Sequence, residues 1–216
     1  MKIILASNNK NKIREVKEIL KDINIDIISM EEAGVDIDIE ENGSTFEENA
    51  LIKAREVMKI TKCITMADDS GLEIDYLHKE PGVYSARFMG YDTPYDVKNK
   101  ALIDKLQGVE GKDRSARFVA VIAVVFPDGK EIVTRGTMEG TIAYEPCGTN
   151  GFGYDPILFL PEYNKCSAQL SSEEKNKISH RGKALRTMKK KLLMVEENGI
   201  SIKKIARQIF GKNDKE

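Results

Sequence analysis

The chain has 216 residues, 41% hydrophobic and 32% charged, which suits one compact domain, with room for two lobes. Lysine plus arginine total 34 against 35 aspartate plus glutamate, a net charge of −1, so a polymeric nucleic acid is not the expected partner and an anionic ligand should be small and met locally. The start MKIILASNNKNK is too short for a signal peptide, no apolar run nears the ~20 residues of a membrane span, and Cys63, Cys147 and Cys166 form no C-x-x-C pair, so a cytoplasmic protein without a disulfide framework or zinc cluster is expected.

Ile3 to Ser7 reads as a short buried strand, followed by a helix with Ile13, Val16, Leu20 and Ile23 at helical spacing and Asn8 or Asn9 as its cap. Ile25 to Met30 is a second strand, and residues 34–44 form an acidic loop. Thr45 opens a second helix with Glu48 three residues on, a capping box, and Ala50, Leu51, Ala54, Val57 and Met58 give that helix its apolar face. A third strand runs from Ile64 to about Asp68, and Leu72 to Leu77 continues extended, with Gly71 placed to allow a bend between them.

PGVYSARF (81–88) is a loop, and Thr93, Pro94 and Asp96 carry the cap, N1 and N3 chemistry of a helix running to about Leu106. Ser115 to Phe126 reads as a central strand, turned by Pro127-Asp128-Gly129 into another from Glu131 toward Tyr144. A glycine-rich loop, GTNGFGYDP, spans 148–156. A long helix starts at Ser179, lined by Leu185, Met188, Leu192 and Val195 and stopped by Gly199, then a short helix with Ile202, Ile205, Ala206 and Ile209 and a fraying KNDKE tail. Early interleaving of strands and helices with a later long hairpin predicts an α/β fold around a mixed sheet.

Five stretches carry candidate chemistry. The turn from the first strand into the first helix presents N–H groups and the positive end of a helix, a ready anion site, with Ser7, Asn8, Asn9, Lys10, Asn11 and Lys12 as donors. An ordinary capped helix with solvated lysines fits the same residues. Lys53 sits at the edge of its helix's apolar face, where it either snorkels to water or meets an anion in a cleft. Asp68 and Asp69 are adjacent, so a regular strand sends them to opposite faces, and close carboxylates call for a cation. Mg²⁺ is the natural choice, a hard ion that takes oxygen ligands, with Glu40 or Glu41 as a third carboxylate. Phe152 and Tyr154 flank Gly153 in the glycine-rich loop, offering ring faces to a base, with the Asp155 carboxylate alongside. His180 and Arg181 open a helix, where positive charge opposes the dipole, which favours a functional role over surface decoration.

Taken together, ASNNKNKIREV, ENGSTFEENALIKA, ADDSGLEID, PGVYSARF, GFGYDPILF and SHRGKAL resemble the inosine triphosphate pyrophosphatase family, also called Ham1-like or dITP/XTP pyrophosphatases, in the family's order from residue 6 to 185. The resemblance implies a long mixed sheet with two lobes around a cleft, a homodimer, and Mg²⁺-dependent hydrolysis of deaminated purine nucleoside triphosphates (ITP, dITP, XTP) to the monophosphate and pyrophosphate. It implies that Ser7 to Lys12 hold the triphosphate, with Lys12 and Lys53 as charged contacts. A glutamate of Glu40–Glu41 and an aspartate of Asp68–Asp69 would bind the metal, Asp69 would take the proton of the attacking water, and Ser70 would touch substrate. Phe152, Gly153, Tyr154, Asp155, Lys175, His180 and Arg181 would form the nucleotide pocket. One departure is that SNN stands where many relatives have TGN. Two rival readings are a pyrophosphatase for another modified nucleotide, such as a methylated pyrimidine, and a sensor that binds without hydrolysis.

Overall fold

A computed structural model describes the backbone of residues 1–210 and the side-chain surroundings of residues 1–195. A seven-stranded mixed sheet forms its centre: β1 (Lys2–Leu5), β2 (Asp26–Ser29), β3 (Thr65–Ile74), β4 (Ser115–Val125), β5 (Glu131–Ile142), β6 (Leu158–Leu160) and β7 (Lys165–Cys166), in the order β2-β1-β3-β4-β5-β6-β7. β1 runs parallel to β2 and β3, and every other pairing is antiparallel. The helices are α1 (Lys10–Leu20), α2 (Phe46–Thr61), α3 (Tyr95–Lys105), α4 (Ser172–Ile178) and α5 (His180–Phe210).

The pleat sorts the core into two lobes. On one face, Met66, Ala120, Ile122 and Val124 pack with Val16 and Leu20 of α1 and Leu185, Met188 and Leu192 of α5. Further along that face, Leu72, Ile74, Ala116, Phe118 and Met138 pack with Leu102 and Leu106 of α3. Between the two clusters the same face of β3 carries Asp68 and Ser70, so the apolar surface is interrupted there and a cleft opens. The opposite face, Ala67, Val119, Val121, Ala123 and Val125, is covered by Phe46, Ala50, Ala54 and Val57 of α2. Beyond α2 that face turns polar, where Arg117 links Asp75 and Glu139 at 2.8 Å each.

Local chemistry fixes several boundaries. Thr45 and Glu48 form the expected capping box, while Glu47 pairs with Arg135 at 2.8 Å instead of capping. Asn9, not Asn8, caps α1, accepting from Asn11 N and Lys12 N. α3 begins one residue later than the cap chemistry suggested: Pro94 holds the cap position without a side-chain bond, and the Thr93 hydroxyl donates to Met89 O. The end of α3 is tied to β5 by buried Arg114, which donates to the carbonyls of Leu106, Val109, Ile142 and Ala143. β6 and β7 form a hairpin that the polar composition of their segment concealed.

Three expectations are corrected. β3 does not end at Asp68; it runs unbroken to Ile74 with Gly71 paired to Val119, and residues 75–77 form a 3-10 turn. Gly71 bends nothing. A Cβ there would lie 2.4 Å from both Gly82 O and Ser85 Oγ, so its smallness lets the 81–88 loop close onto the strand. α5 continues through Gly199 to Phe210, since one glycine costs a helix interior only about 1 kcal/mol. The side chains of Ile202, Ile205, Ala206 and Ile209 and the KNDKE tail lie outside the described residues. Finally, Cys147 and Cys166 are disulfide-bonded with their Cα atoms 5.9 Å apart, a pairing that 19 residues of separation hid, while Cys63 is free and exposed.

The start of α5 lies flush on β5 because position 136 is glycine; a Cβ there would come within 2.3 Å of His180 O and 2.7 Å of Ala184 N. Gly136→Ala is expected to cost about 1–3 kcal/mol by overpacking. A lower urea midpoint at unchanged slope would record it; a wild-type midpoint would show that the helix start yields freely.

Candidate active site

β1 is shorter than β3. It pairs only with Thr65 and Met66 before the chain leaves as the 7–12 turn, so the next residues of β3 have no neighbour on that edge. The cleft sits at this uncovered edge, with a volume of about 510 Å³, within the range of small-molecule sites. Its walls include Ser7, Asn8, Asn9 and Lys12 from the turn, Glu41 and Lys53 from the α2 side, and Phe152, Lys175, His180 and Arg181 opposite. Lys10 instead lines a neighbouring groove with Arg14 and Lys17, and the Asn11 side chain accepts from Arg14. The cleft therefore opens beyond the end of β1 but alongside the middle of β3, where the two carboxylates sit.

On the α5 face, Asp68 is 1% exposed and anchors two cations. Lys12 Nζ lies 2.7 Å from Oδ1, and Arg181 Nε donates to Oδ2 at 2.8 Å. Burial pushes the Asp68 carboxyl upward, yet Arg181 and Lys12 outweigh it and hold the group far below the usual carboxylate range. Arg181, 1% exposed, also donates to Ser70 Oγ at 2.9 Å and to Glu15. Glu15 accepts in turn from Lys175 at 3.2 Å, and Lys175 reaches Asp155 at 2.7 Å. Against the burial that would raise it, Arg181 and Lys175 keep Glu15 below its ordinary value.

Glu15 is the site residue that the motif reading missed. Lys12 and Glu15 stand three apart on one helical stripe, and a carboxylate beside Val16 on that stripe is the available signal. Asp155 lines the cleft. Both of its oxygens are engaged, Oδ1 by Ser167 at 2.7 Å and Oδ2 by Lys175 and by Phe152 N at 2.8 Å, so it braces the loop. Tyr154 is likewise committed, its hydroxyl donating to Ser85 O at 2.7 Å and its ring edge-on to Tyr95. Phe152 is half-buried, with Lys175 Nζ 4.8 Å and Arg181 Cζ 5.7 Å from its ring centre. His180 is buried against Phe118, and burial, reinforced by Arg181 and Lys175, keeps it neutral; its Nδ1 has no partner.

On the α2 face, Lys53 does not snorkel. Its ammonium bridges Glu41 at 2.9 Å and Asp69 Oδ1 at 3.1 Å. Burial pulls the Lys53 pKa down, but Asp69 and Glu41 raise it on balance, so the bridge stays charged. Asp69 is pushed above the ordinary aspartate value, chiefly by burial, with Glu41 adding and Lys53 and Lys12 opposing. Its Oδ2 is buried without a partner. Glu40 is exposed and lines a side cavity with Tyr84, Arg87 and Tyr91, away from Lys53. The consecutive aspartates therefore face opposite ways, Asp68 toward the α5 cations and Asp69 toward Lys53.

A model of the Ham1 family matches residues 3–191. The dITP/XTP pyrophosphatase of Clostridium perfringens is 49% identical over 197 residues, spanning 88% of this chain and 97% of that protein. The dITP/XTP pyrophosphatase of Caldanaerobacter subterraneus subsp. tengcongensis is 46% identical over 200 residues, 92% of this chain and all of the other. Among solved structures, a HAM1 protein from Coxiella burnetii superposes with a TM-score of 0.83 at 43% identity, covering 90% of this chain and 99% of that one. The Staphylococcus aureus Ham1 protein gives 0.80 at 43% identity, with coverages of 89% and 98%.

Proposed function

The chain belongs to the Ham1 family, and from that premise we propose that it hydrolyses deaminated purine nucleoside triphosphates (ITP, dITP and XTP) to the monophosphate and pyrophosphate. The observation that carries this reading is the division of charge around β3. One side holds a spare basic oxygen beside an ammonium bridge; the other holds a buried lattice of hydrogen-bond donors beside an aromatic ring.

In the proposed mechanism, Lys53 fixes Asp69 through Oδ1 and leaves Oδ2 free to take the proton of the attacking water. The raised pKa strengthens that oxygen as a base once it is ionised. Water attacks the α-phosphorus, the bond to the bridging oxygen breaks, and pyrophosphate departs. Lys12 and Lys53 would stabilise the charge that builds on the phosphate oxygens.

The carboxylates suit a hard divalent ion. Five of them (Glu15, Glu41, Asp68, Asp69 and Asp155) face four cations (Lys12, Lys53, Lys175 and Arg181), so a polyanionic substrate needs further positive charge. Glu41 and Asp69 are the pair that would hold Mg²⁺, which would supply neutralisation of the triphosphate oxygens. Asp68 serves instead to anchor Lys12 and Arg181.

Base choice follows from donor polarity. Four of the guanidinium bonds of Arg181 are spent on Asp68, Glu15 and Ser70, leaving one N–H on Nη1. That group and Lys175, both donors only, can pair with a 6-keto oxygen but not with the 6-amino group of adenine, a mismatch that can discriminate by roughly 10⁴-fold. The exposed Tyr84, Met89 and Tyr91 supply apolar surface for a homodimer, and a monomer mass by light scattering would remove that part of the reading.

Incubation of the protein with ITP and Mg²⁺ should release IMP and pyrophosphate, and chelation of the metal should stop it. Release of IDP and inorganic phosphate would reject the assignment. Among the described residues no helix is long and apolar enough to cross a membrane.

A further inference from the structure

Glu41 sits on a segment with little to hold it. Residues 35–43 form neither helix nor strand. Among the described residues, the Glu41 carbonyl is the one main-chain group between positions 36 and 42 that makes a hydrogen bond. Val35, Ile37 and Ile39 lie against the core that α2 covers, and the alternation continues to half-buried Glu41, with Glu40 exposed. Apolar contacts are non-directional. They settle which way Glu41 faces and leave the segment free to slide.

Two directional bonds fix its place. Gly43 N donates to Asn49 Oδ1 at 2.8 Å, and Arg87 Nη2 donates to Glu41 O at 3.1 Å. Asn49 stands one turn before Lys53 on the buried face of α2. Arg87 follows two residues after Ser85, whose hydroxyl accepts from Leu72 N of β3 at 2.8 Å. The first bond refers the segment to the helix that carries Lys53, and the second to the strand that carries Asp69. Those are the two groups grouped with Glu41, Lys53 lying 2.9 Å from Glu41 and 3.1 Å from Asp69. Asn49 is 0% exposed and its Nδ2 has no partner. Leucine would fill that space without burying an unpaired amide, so the asparagine is explained by its bond to Gly43. A Cβ at position 43 would lie 2.7 Å from Asn49 Oδ1, and glycine is what permits the approach.

We infer that Asn49 and Arg87 are positioning residues that hold Glu41 at the distance from Asp69 that a divalent cation needs. Mg²⁺ demands near-ideal octahedral geometry, so a ligand on an unfastened segment would bind it weakly. The inference rests on the proposed role of Glu41 and Asp69 in holding Mg²⁺.

The test titrates Mn²⁺ into the nucleotide-free protein, followed by electron paramagnetic resonance; Mn²⁺ favours the same oxygen ligands as Mg²⁺. Asn49→Leu and Arg87→Met keep side-chain bulk and lose one bond each. The Mn²⁺ Kd should rise about tenfold in each, as when the outer support of a metal ligand is removed. The Mg²⁺ concentration for half-maximal ITP turnover should rise alike, with kcat regained at saturating Mg²⁺. Glu41→Gln is the reference. It should weaken Mn²⁺ binding by itself, and adding either substitution should then change Kd by less than about twofold, because both act through Glu41. Wild-type Mn²⁺ affinity in one variant removes that residue from the role, and in both overturns the inference. A further loss of about tenfold on top of Glu41→Gln also overturns it, as does a kcat that stays low at saturating Mg²⁺, since each marks general loosening. Arg87→Met carries the test alone should Asn49→Leu fail to fold. A wild type that binds no Mn²⁺, or Glu41→Gln with an unchanged Kd, rejects the metal pair itself and the inference with it. Failure of the wild type to release pyrophosphate from ITP rejects the pyrophosphatase reading; the Mn²⁺ titration needs no turnover and judges Asn49 and Arg87 separately.

Discussion

Asp69→Asn should lower ITP turnover by about 10³-fold or more while leaving the protein folded. The amide cannot take a proton from water and is a poorer partner for a hard cation. Its shape matches the carboxyl group, and the bond from Lys53 to Oδ1 can be kept. Stability should hold or rise slightly, and the sign follows from linkage. Burial, with Glu41 adding, places the folded-state pKa of Asp69 above its unfolded value. Ionisation is therefore disfavoured in the fold, and at neutral pH the carboxylate costs stability that a neutral amide does not. The same shift sets the acid limb of the rate profile. In the wild type kcat/KM should fall as pH drops through a value above the usual ~3.9 of aspartate. His180 cannot be the source of that limb, since burial and its cationic neighbours hold it neutral. Turnover of Asp69→Asn near the wild-type rate would take Asp69 out of the base role.

The second large effect is on stability. Arg181→Met leaves Asp68 without the guanidinium that holds both of its oxygens and leaves Glu15 with Lys175 alone. Stripping the partner from buried carboxylates costs roughly 3–5 kcal/mol, to be read from urea unfolding at pH 7. The pH dependence separates this from lost packing. Asp68 and Glu15 have folded-state pKa values below their unfolded ones, so their contribution is present above the ordinary carboxylate range and is lost as pH falls toward the folded values. The gap between wild type and variant should therefore narrow in acid, and adding Asp68→Asn should recover part of the loss at pH 7. A gap of constant size from pH 7 to pH 4 would mean that packing, not charge, is what Arg181 contributes.

Features settled by short-range chemistry were legible in the sequence. The Thr45–Glu48 box, the apolar run of β4 and the hairpin at Pro127–Gly129 each depend on residues a few positions apart. The opposed orientation of Asp68 and Asp69 follows from the pleat, and the structure keeps it. What escaped depends on partners distant in the chain. Glu15 meets Arg181 and Lys175 across 166 and 160 residues, and Asp155 is consumed by Ser167 and Lys175, which no local pattern displays. Gly71 was misread because its reason lies in Gly82 and Ser85 of a loop that folds back on it.

The uninterrupted course of β3 has a consequence for how this enzyme can vary. In the proposed mechanism base selection hangs from one aspartate and hydrolysis from the next, on opposite sides of the same ribbon. A slip of a single position would exchange their assignments, so the two tasks cannot be translated against each other. Any change in the size of nucleotide accepted has to come from the segments around that fixed axis, the turn at 7–12 and the loop at 148–155, while the distance between reader and cutter stays one peptide unit.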